Sequence, residues 1–368
     1  MTVQKNLIDE LEIAISHKDI AHRAETLRRL TDLFVLGSTK YSGKQIALFD
    51  DVMSRLVDEV EVSARAAFGH RLANVPNAPP RIMRELALDN AIEVAGPVLA
   101  HSEQIDNGTL IEGAKTKSQD HLLAISRRKT LTEDVTDVLV DRGNRQVALS
   151  TAKNPGAAFS EFGYSTLVRR SKDDDKLALC VWSRAGIPRQ HLLKLFAEAS
   201  ESVRLTLEAT DRRKAALIRE MVARASNEIQ TTAREDSNGY SVAYSHVQCL
   251  HKAGKLDEAR LADFAKAGKF DESAVALSML CDLPVGLIER AFVQNMSEQL
   301  LVLAKAIDLS WDTTKTLLLL QSGPNDSCAS DSELNECFMS YIRLQSETAK
   351  KAVQFYRLRE QAMMPVSH

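Results

Sequence analysis

The feature that most constrains the fold of this sequence is a helix-start pattern that recurs at a steady interval. Each occurrence has an apolar or small residue, then a capping residue or a proline, and then an amphipathic stretch. The five occurrences are Ala78-Pro79-Pro80, Ile105-Asp106-Asn107, Leu131-Thr132-Glu133, Phe159-Ser160-Glu161 and Ile187-Pro188-Arg189. Successive starts lie 26 to 28 residues apart. A period of this length predicts stacked structural repeats.

A second short helix is predicted in each interval. The predicted ranges are residues 91–100, 121–127, 146–152 and 176–183. Two short helices cannot bury their apolar faces alone, whereas stacked neighbours can. Long β-branched alternations are absent, and Gly and Pro number only 15 and 9. The sequence therefore predicts an all-α chain, an α-solenoid of stacked two-helix repeats.

A second set of repeats is predicted further along the chain. Residues 252–258 are echoed fourteen residues later by residues 266–272. Two glycines in this echo fit helix C-caps and two aspartates fit N-caps. These are Gly254, Gly268, Asp257 and Asp271.

The resulting layout has five segments. We predict N-terminal helices in 1–64, a repeat array in 65–199, a long connecting helix in 200–238, a second array in 239–321, and a linker with a C-terminal capping helix in 322–368. The long helix rests on Ile218, Val222, Ala225 and Ile229, which share one helical face.

Composition limits the possible partners and compartments. The chain has 47 Lys+Arg against 50 Asp+Glu, so its net charge of -3 gives no global attraction to nucleic acid or anionic lipid. No apolar run approaches the roughly 20 residues of a membrane-spanning helix, and no signal peptide is recognisable. The five cysteines are scattered, which is typical of reduced thiols. We expect a cytoplasmic protein.

Three strings resemble a known family. They are LANVPNAPPRIMRELALDNAIEVAGPVL at 72–99, RQVALSTAKNPGAAFS at 145–160 and AGKLDEARLADFAKAGKFDES at 253–273. Over residues 65–320 the chain resembles the bacterial family of domain of unknown function 2336, found chiefly in α-proteobacteria. The resemblance implies a HEAT-like α-solenoid. It brings no activity, so it transfers no functional residue.

Catalytic and metal-binding motifs are not recognisable. Residues 37–45 look like a phosphate-binding loop, but five residues separate the glycines and Gln45 stands where Ser or Thr is needed. We interpret them as an interhelix loop. His246 and Cys249 could share a helix face, but no second ligand pair accompanies them. The sequence predicts no enzyme, no cofactor and no metal.

The candidate binding site is a polar position in the turn between the two helices of each repeat. Stacking would align these positions into a basic edge. Its residues are His101, Arg127, Arg128, Asn154, Trp182, Arg184 and Arg189. The edge could bind an acidic segment of a protein partner. In the alternative interpretation, an arginine near a helix C-terminus hydrogen-bonds the last carbonyls and favours the helix dipole, and it can also tie one repeat to the next.

Three functions follow as hypotheses. The first is a non-enzymatic protein-interaction scaffold, because solenoids present extended binding surfaces. The second is a nucleic-acid-binding protein, including one with DNA glycosylase-like activity, by analogy of fold. The third is a regulator that acts through its C-terminal helix, near residues 333–361.

Overall fold

The computed structural model describes residues 20–184, 186–210, 212–294, 296–322 and 331–363. These residues form 21 α-helices and no β-strand, so the all-α prediction is confirmed. The first eleven are α1 Ile20–Gly37, α2 Gly43–Val57, α3 Val62–Leu72, α4 Pro80–Ala87, α5 Ile92–His101, α6 Asn107–Thr116, α7 Gln119–Ser126, α8 Glu133–Arg142, α9 Arg145–Lys153, α10 Glu161–Ser171 and α11 Asp175–Trp182. The remaining ten are α12 Arg189–Thr210, α13 Ala215–Glu235, α14 Asn238–Lys252, α15 Glu258–Lys266, α16 Phe270–Cys281, α17 Val285–Val293, α18 Ser297–Ala306, α19 Trp311–Ser322, α20 Asp331–Arg343 and α21 Ser346–Met363.

The chain divides into two units. The first comprises residues 1–167 with 179–181, and the second comprises residues 168–178 with 182–368. Helices α10 and α11 therefore contribute to both units. The division lies upstream of residue 199, where the sequence suggested that the first array ends.

The first unit is a stack of helix pairs in two layers. Helices α1, α3, α5, α7 and α9 form one layer, and α2, α4, α6 and α8 form the other. Each helix packs against the next helix of its own layer and against its neighbours in the chain. Between the layers lie fully buried side chains such as Leu99, Leu122 and Leu139. Because each buried leucine contributes about 1.5–3 kcal/mol, the layers stabilise each other.

The predicted helix starts are confirmed to within one or two residues. Helices α4, α6, α8, α10 and α12 begin where the pattern places them. The Asp106 carboxylate accepts a hydrogen bond from the Thr109 amide at 2.6 Å, and the Ser160 hydroxyl accepts one from the Gly163 amide at 3.0 Å. Thr132 makes no capping hydrogen bond, although it occupies the same position at α8.

The second unit is a helical bundle formed by α12 to α21. Helix α14 packs on α16, α15 packs on α19, and α18 packs on both α20 and α21. Gly254 and Gly268 have left-handed φ angles of 64° and 68°, as helix C-caps require. Asp257 caps α15 by accepting the Arg260 amide at 2.9 Å. The cap predicted at Asp271 is wrong, because α16 already begins at Phe270.

The single long helix predicted in 200–238 is wrong. Helix α12 ends at Thr210, a 3-10 turn covers Arg212–Lys214, and α13 returns along α12. The Arg219 guanidinium of α13 donates to Glu208 of α12 at 2.8 Å. Neither Gly nor Pro marks the reversal, so the helical periodicity runs through it without a local signal. Folding back lets the two helices cover each other's inner sides.

The C-terminal helix predicted in 333–361 is also two helices, α20 and α21. Both pack on α18, and Tyr341 and Val353 belong to the core of the second unit. The Ser346 hydroxyl at the start of α21 donates to Asp308 at 2.7 Å. The segment therefore packs on the bundle as two helices, where the sequence predicted one. Most of the predicted linker at 322–331 lies outside the described residues.

The structure also describes the glycine-containing string and most of the cysteines. The glycine-containing string at 37–45 joins the end of α1 to the start of α2, where Ser42 and Gln45 form a capping box, so it is an interhelix loop. No described helix is both long and apolar enough to cross a membrane. None of the four described cysteines belongs to a disulfide, and Cys328 lies outside the described residues.

Candidate functional site

Arg128 on the predicted basic edge contacts the preceding repeat. Its guanidinium donates to the Leu99 carbonyl at 2.6 Å and to the Ser102 carbonyl at 2.7 Å. These are carbonyls at the end of α5, which lack partners within their own helix. Burial lowers the pKa of the Arg128 guanidinium, while Glu103 opposes that shift. These contacts agree with the alternative interpretation of the edge, in which the arginine hydrogen-bonds helix-end carbonyls and joins two repeats.

Asn154 repeats the arrangement one unit later. Its amide nitrogen donates to the carbonyls of Ser126 and Arg128, at 2.9 and 2.7 Å, at the end of α7. Its amide oxygen accepts the Gly156 amide at 2.8 Å. A Cβ atom on Gly156 would lie 1.9 Å from the Lys129 carbonyl oxygen, so only glycine fits this junction.

The opposite edge of the array has a similar contact. The Arg142 guanidinium donates to the carbonyls of Ala114 and Lys117, both at 2.7 Å, at the end of α6. At each of these junctions, one polar side chain thus donates hydrogen bonds to the unpaired carbonyls at the end of the previous helix. We call Arg128, Asn154 and Arg142 the capping ladder.

His101 and Arg127, in contrast, line an open groove on the first unit. The groove runs across α3, α5 and α7 and has a volume of about 560 Å³. Its lining residues are His70, Ile92, Gly96, Pro97, Ala100, His101, Asp120, Leu123, Ala124 and Arg127. We call it the α3–α5–α7 groove. Its floor is apolar and built largely of small residues, and its rim carries three basic side chains and one carboxylate.

The basic side chains of the rim are exposed and available to a ligand. Within the described residues, His70, His101 and Arg127 make no side-chain hydrogen bond or ion pair. Arg127 follows the last residue of α7 and lines the groove, whereas the next residue, Arg128, reaches the carbonyls at the end of α5. Adjacent arginines therefore have different environments: Arg128 is engaged by carbonyls, and Arg127 faces solvent at the groove.

The other predicted edge residues belong to the second unit. Trp182 is 41% exposed and its ring lies 6.3 Å from that of Phe196. Arg184 is half-buried. Arg189 does not lie on an exposed edge, so its predicted placement is wrong. Its side chain is 6% exposed, because it enters the core at the start of α12.

A buried charge cluster surrounds Arg189. Its guanidinium pairs with Asp271 and with Glu289, each at 2.5 Å, and Arg234 pairs with the same Glu289 at 2.7 Å. Burial raises the pKa of Asp271, and Arg189 opposes that shift. The Arg189 guanidinium lies 4.7 Å from the Tyr240 ring centre, and burial raises the pKa of Tyr240 to about 12. Two positive and two negative charges balance, which favours a structural role.

In the described part of the first unit, a serine and a histidine are in short contact, as a nucleophile and a base would be. The Ser118 hydroxyl lies 2.7 Å from Nδ1 of His121, but Nε2 of that ring lies 3.0 Å from the Asp89 backbone carbonyl. His121 is 1% exposed, so a substrate cannot reach it. In the part of the chain that the structure describes, no three His, Cys, Asp or Glu residues are placed to hold a metal ion.

Comparison with known proteins gives one match. The model of a family described as uncharacterised protein conserved in bacteria (DUF2336) matches residues 94–354. The match starts later than the resemblance at 65–320 and extends further toward the C-terminus. The narrower α-proteobacterial distribution and the HEAT-like architecture stay predictions. No curated protein and no solved structure matches the chain.

Proposed function

The chain belongs to the bacterial family DUF2336, and we propose that it is a non-enzymatic scaffold that binds an acidic segment of a partner protein. The proposed site is the α3–α5–α7 groove. The observation that carries the proposal is the meeting of three unpaired basic side chains with an apolar floor. The partner class is the one expected from sequence, but only His101 and Arg127 of the predicted edge belong to the proposed site, and His70 was not among the predicted residues.

The chemistry of the groove suits an amphipathic segment with acidic residues. The apolar floor, with Ile92 and Leu123, offers a surface for one side of a helix or strand. Gly96 and Ala124 leave room for a backbone to approach. Arg127 can hold a carboxylate with two hydrogen bonds, and His70 and His101 add positive charge when protonated. The Asp120 carboxylate on the rim repels acidic residues, so it favours one orientation of the bound segment.

The test is affinity capture with charge-reversed variants. Tagged protein is incubated with untreated and with nuclease-treated lysate of its own cells, and captured proteins are identified by mass spectrometry. Arg127→Glu reverses the charge at the groove. Arg55→Glu is the matched control, because Arg55 is exposed and unpaired among the described residues but lies on α2, away from the groove. We expect a partner that is captured by wild type and Arg55→Glu and is lost with Arg127→Glu.

A peptide array of the captured partner then identifies the bound segment. The proposal requires a segment rich in Asp and Glu, with binding that weakens as salt is added. Equal loss of the partner with Arg55→Glu would show a general charge effect and contradict the proposed site. A partner that disappears only on nuclease treatment would instead favour the nucleic-acid alternative, whose affinity falls steeply with salt.

The third hypothesis assigns partner binding to the C-terminal helices. Tyr341, Ala349 and Val353 are buried in the second unit, whereas Phe355 and Leu358 remain exposed. Deletion of the chain after Ser330 separates two roles. Loss of soluble protein is expected if α20 and α21 serve as a cap. Soluble protein that no longer captures the partner would favour a docking role instead.

A further inference from the structure

A ridge of apolar side chains lies exposed along α13 in the second unit. Leu217, Met221, Ala225 and Ile229 follow one another at intervals of four residues, and all four are exposed. Leu217 is 54% exposed and Met221 is 62% exposed. Residues four apart are neighbours on a helix, so the ridge is continuous for three turns. A contiguous apolar surface of this kind marks an interaction site.

Helix α12 extends the same face. Glu208 binds both Arg204 of α12 and Arg219 of α13, which marks the side where the helices meet. Val203 and Leu207 directly precede Arg204 and Glu208, and both are exposed. The ridge residues of α13 likewise precede its half-buried inner residues. In two antiparallel helices, the residues that directly precede the inner residues point to the same side of the pair. Val203 and Leu207 of α12 therefore lie on the same face as the ridge of α13.

We propose that this hairpin face binds the same face of a second copy of the chain, so that two hairpins form a four-helix bundle. The proposal does not depend on the α3–α5–α7 groove. The ridge covers residues 217–229 of α13, a length of about 18 Å, because the first turns of α12 are buried within the second unit. Two adjacent helices, each about 10 Å wide, present roughly 360 Å² in outline over that length. This is about half of the roughly 800 Å² per partner of a standard protein–protein interface, so we expect the dimer to dissociate on dilution.

The order of side chains along the ridge suits pairing with itself. Place a two-fold axis beside residue 223, with the copies of α13 antiparallel. Leu217 then lies opposite Ile229 of the second copy, and Met221 lies opposite Ala225. The longest side chain of the ridge meets the smallest, as interdigitating helices require. Neither copy has to accommodate a charge on the ridge itself.

The charges beside the ridge are also self-complementary. Glu220 and Arg224 are exposed and joined by an ion pair of 3.1 Å within α13. In the antiparallel arrangement Glu220 lies within one helical turn of Arg224 of the second copy, and the two-fold axis repeats that pair. Opposite charges at the edge of an interface favour one register over others. This arrangement indicates a second copy rather than an unrelated partner.

The first test is the molar mass of the full chain, measured by light scattering over a wide concentration range. We expect twice the chain mass of 40.7 kDa for the wild type. The double variant Leu217→Glu with Met221→Glu should have the mass of a single chain. Val242→Glu is the matched control, because Val242 is 65% exposed on α14 of the same unit. It should remain a dimer. Circular dichroism of each variant establishes that it is folded.

The second test exchanges the charges between copies. Glu220→Arg and Arg224→Glu should each weaken the dimer, because each places like charges opposite each other. Mixing the two variants should restore a mixed dimer, although the ion pair within α13 is broken in both. A wild type of single-chain mass at every concentration overturns the proposal. So does dimerisation of the folded Leu217/Met221 variant. Failure of the mixture to recover overturns the antiparallel arrangement.

Discussion

Replacing Arg128 by alanine should destabilise the first unit, whereas replacing its neighbour Arg127 should not. The Arg128 guanidinium donates to two carbonyl oxygens whose residues, Leu99 and Ser102, are almost fully buried. An unsatisfied buried carbonyl costs about 1–3 kcal/mol. Arg128 itself is only half-buried, so in the variant water can reach the two carbonyls through the space that the side chain leaves and recover part of that loss. We expect Arg128→Ala to lower the free energy of unfolding by about 3 kcal/mol. For a unit of this size, the melting temperature falls by roughly 2–4 °C per kcal/mol, or about 6–12 °C in all.

The two tryptophans make the assay specific. Trp182 and Trp311 both belong to the second unit. Circular dichroism follows the helices of both units. Fluorescence is measured in a Trp182→Phe background, because Trp182 ends a helix that contributes to both units, so that Trp311 alone follows the second unit. With Arg128→Ala, the first part of the dichroism transition should move to lower temperature, and the fluorescence transition should stay in place. Arg127→Ala should change stability by less than about 0.5 kcal/mol, as surface substitutions usually do.

A conservative variant separates charge from geometry. Arg128→Lys keeps the charge but offers one compact ammonium group instead of a planar fork, so it should recover only part of the lost stability. If Arg128→Ala and Arg127→Ala melt at the same temperature, the capping ladder does not stabilise the array. The hydrogen bonds to α5 would then be incidental to packing.

Three further outcomes are expected. Gly156→Ala should prevent the junction from closing, because its Cβ would clash with the Lys129 carbonyl. Its melting temperature should fall well below that of Gly239→Ala, whose Cβ would meet only the Ser237 hydroxyl at an ordinary contact distance of 3.8 Å. Glu289→Gln leaves Arg234 without a carboxylate and Arg189 with Asp271 alone, so urea unfolding should show a loss of about 3 kcal/mol; an unchanged midpoint would contradict the importance of this cluster. The pKa of Tyr240 is raised by burial from 10.0 to about 12, so the folded chain keeps this proton while the unfolded chain loses it. Stability should therefore fall as pH rises from 10 through 12. Tyr240→Phe should show a smaller fall, and tyrosinate absorbance should show one late-titrating group that this variant lacks.

The repeat architecture was predictable because its signals are local. A cap such as Asp106 or a proline such as Pro80 acts on the helix that it begins, so its effect can be inferred without knowing the rest of the fold. The steady interval between these signals then indicates the stacking of helix pairs. Thr132 shows the limit of this reasoning. A residue of the right type stands at the helix start, but its side chain makes no cap.

The binding residues could not be resolved in the same way. Arg127 and Arg128 look equivalent in sequence. The exact position where α7 ends determines that Arg127 lies at the groove and Arg128 contacts the α5 carbonyls. Arg189 pairs with a carboxylate 100 residues away, so no local pattern could place it in the core. His70 was missed because it comes from α3, a helix outside the repeat positions that defined the predicted edge.

The capping ladder also bears on how the chain folds as it is synthesised. During synthesis, the carbonyls at the end of α5 have no side-chain partner until Arg128, 26 residues after Ser102, has been made. Those at the end of α7 have none until Asn154 has been made. Each helix pair is therefore completed only when the next one has left the ribosome. Folding of the first unit should proceed from the N-terminus in steps of one repeat, and the last repeat made is always the least protected from unfolding.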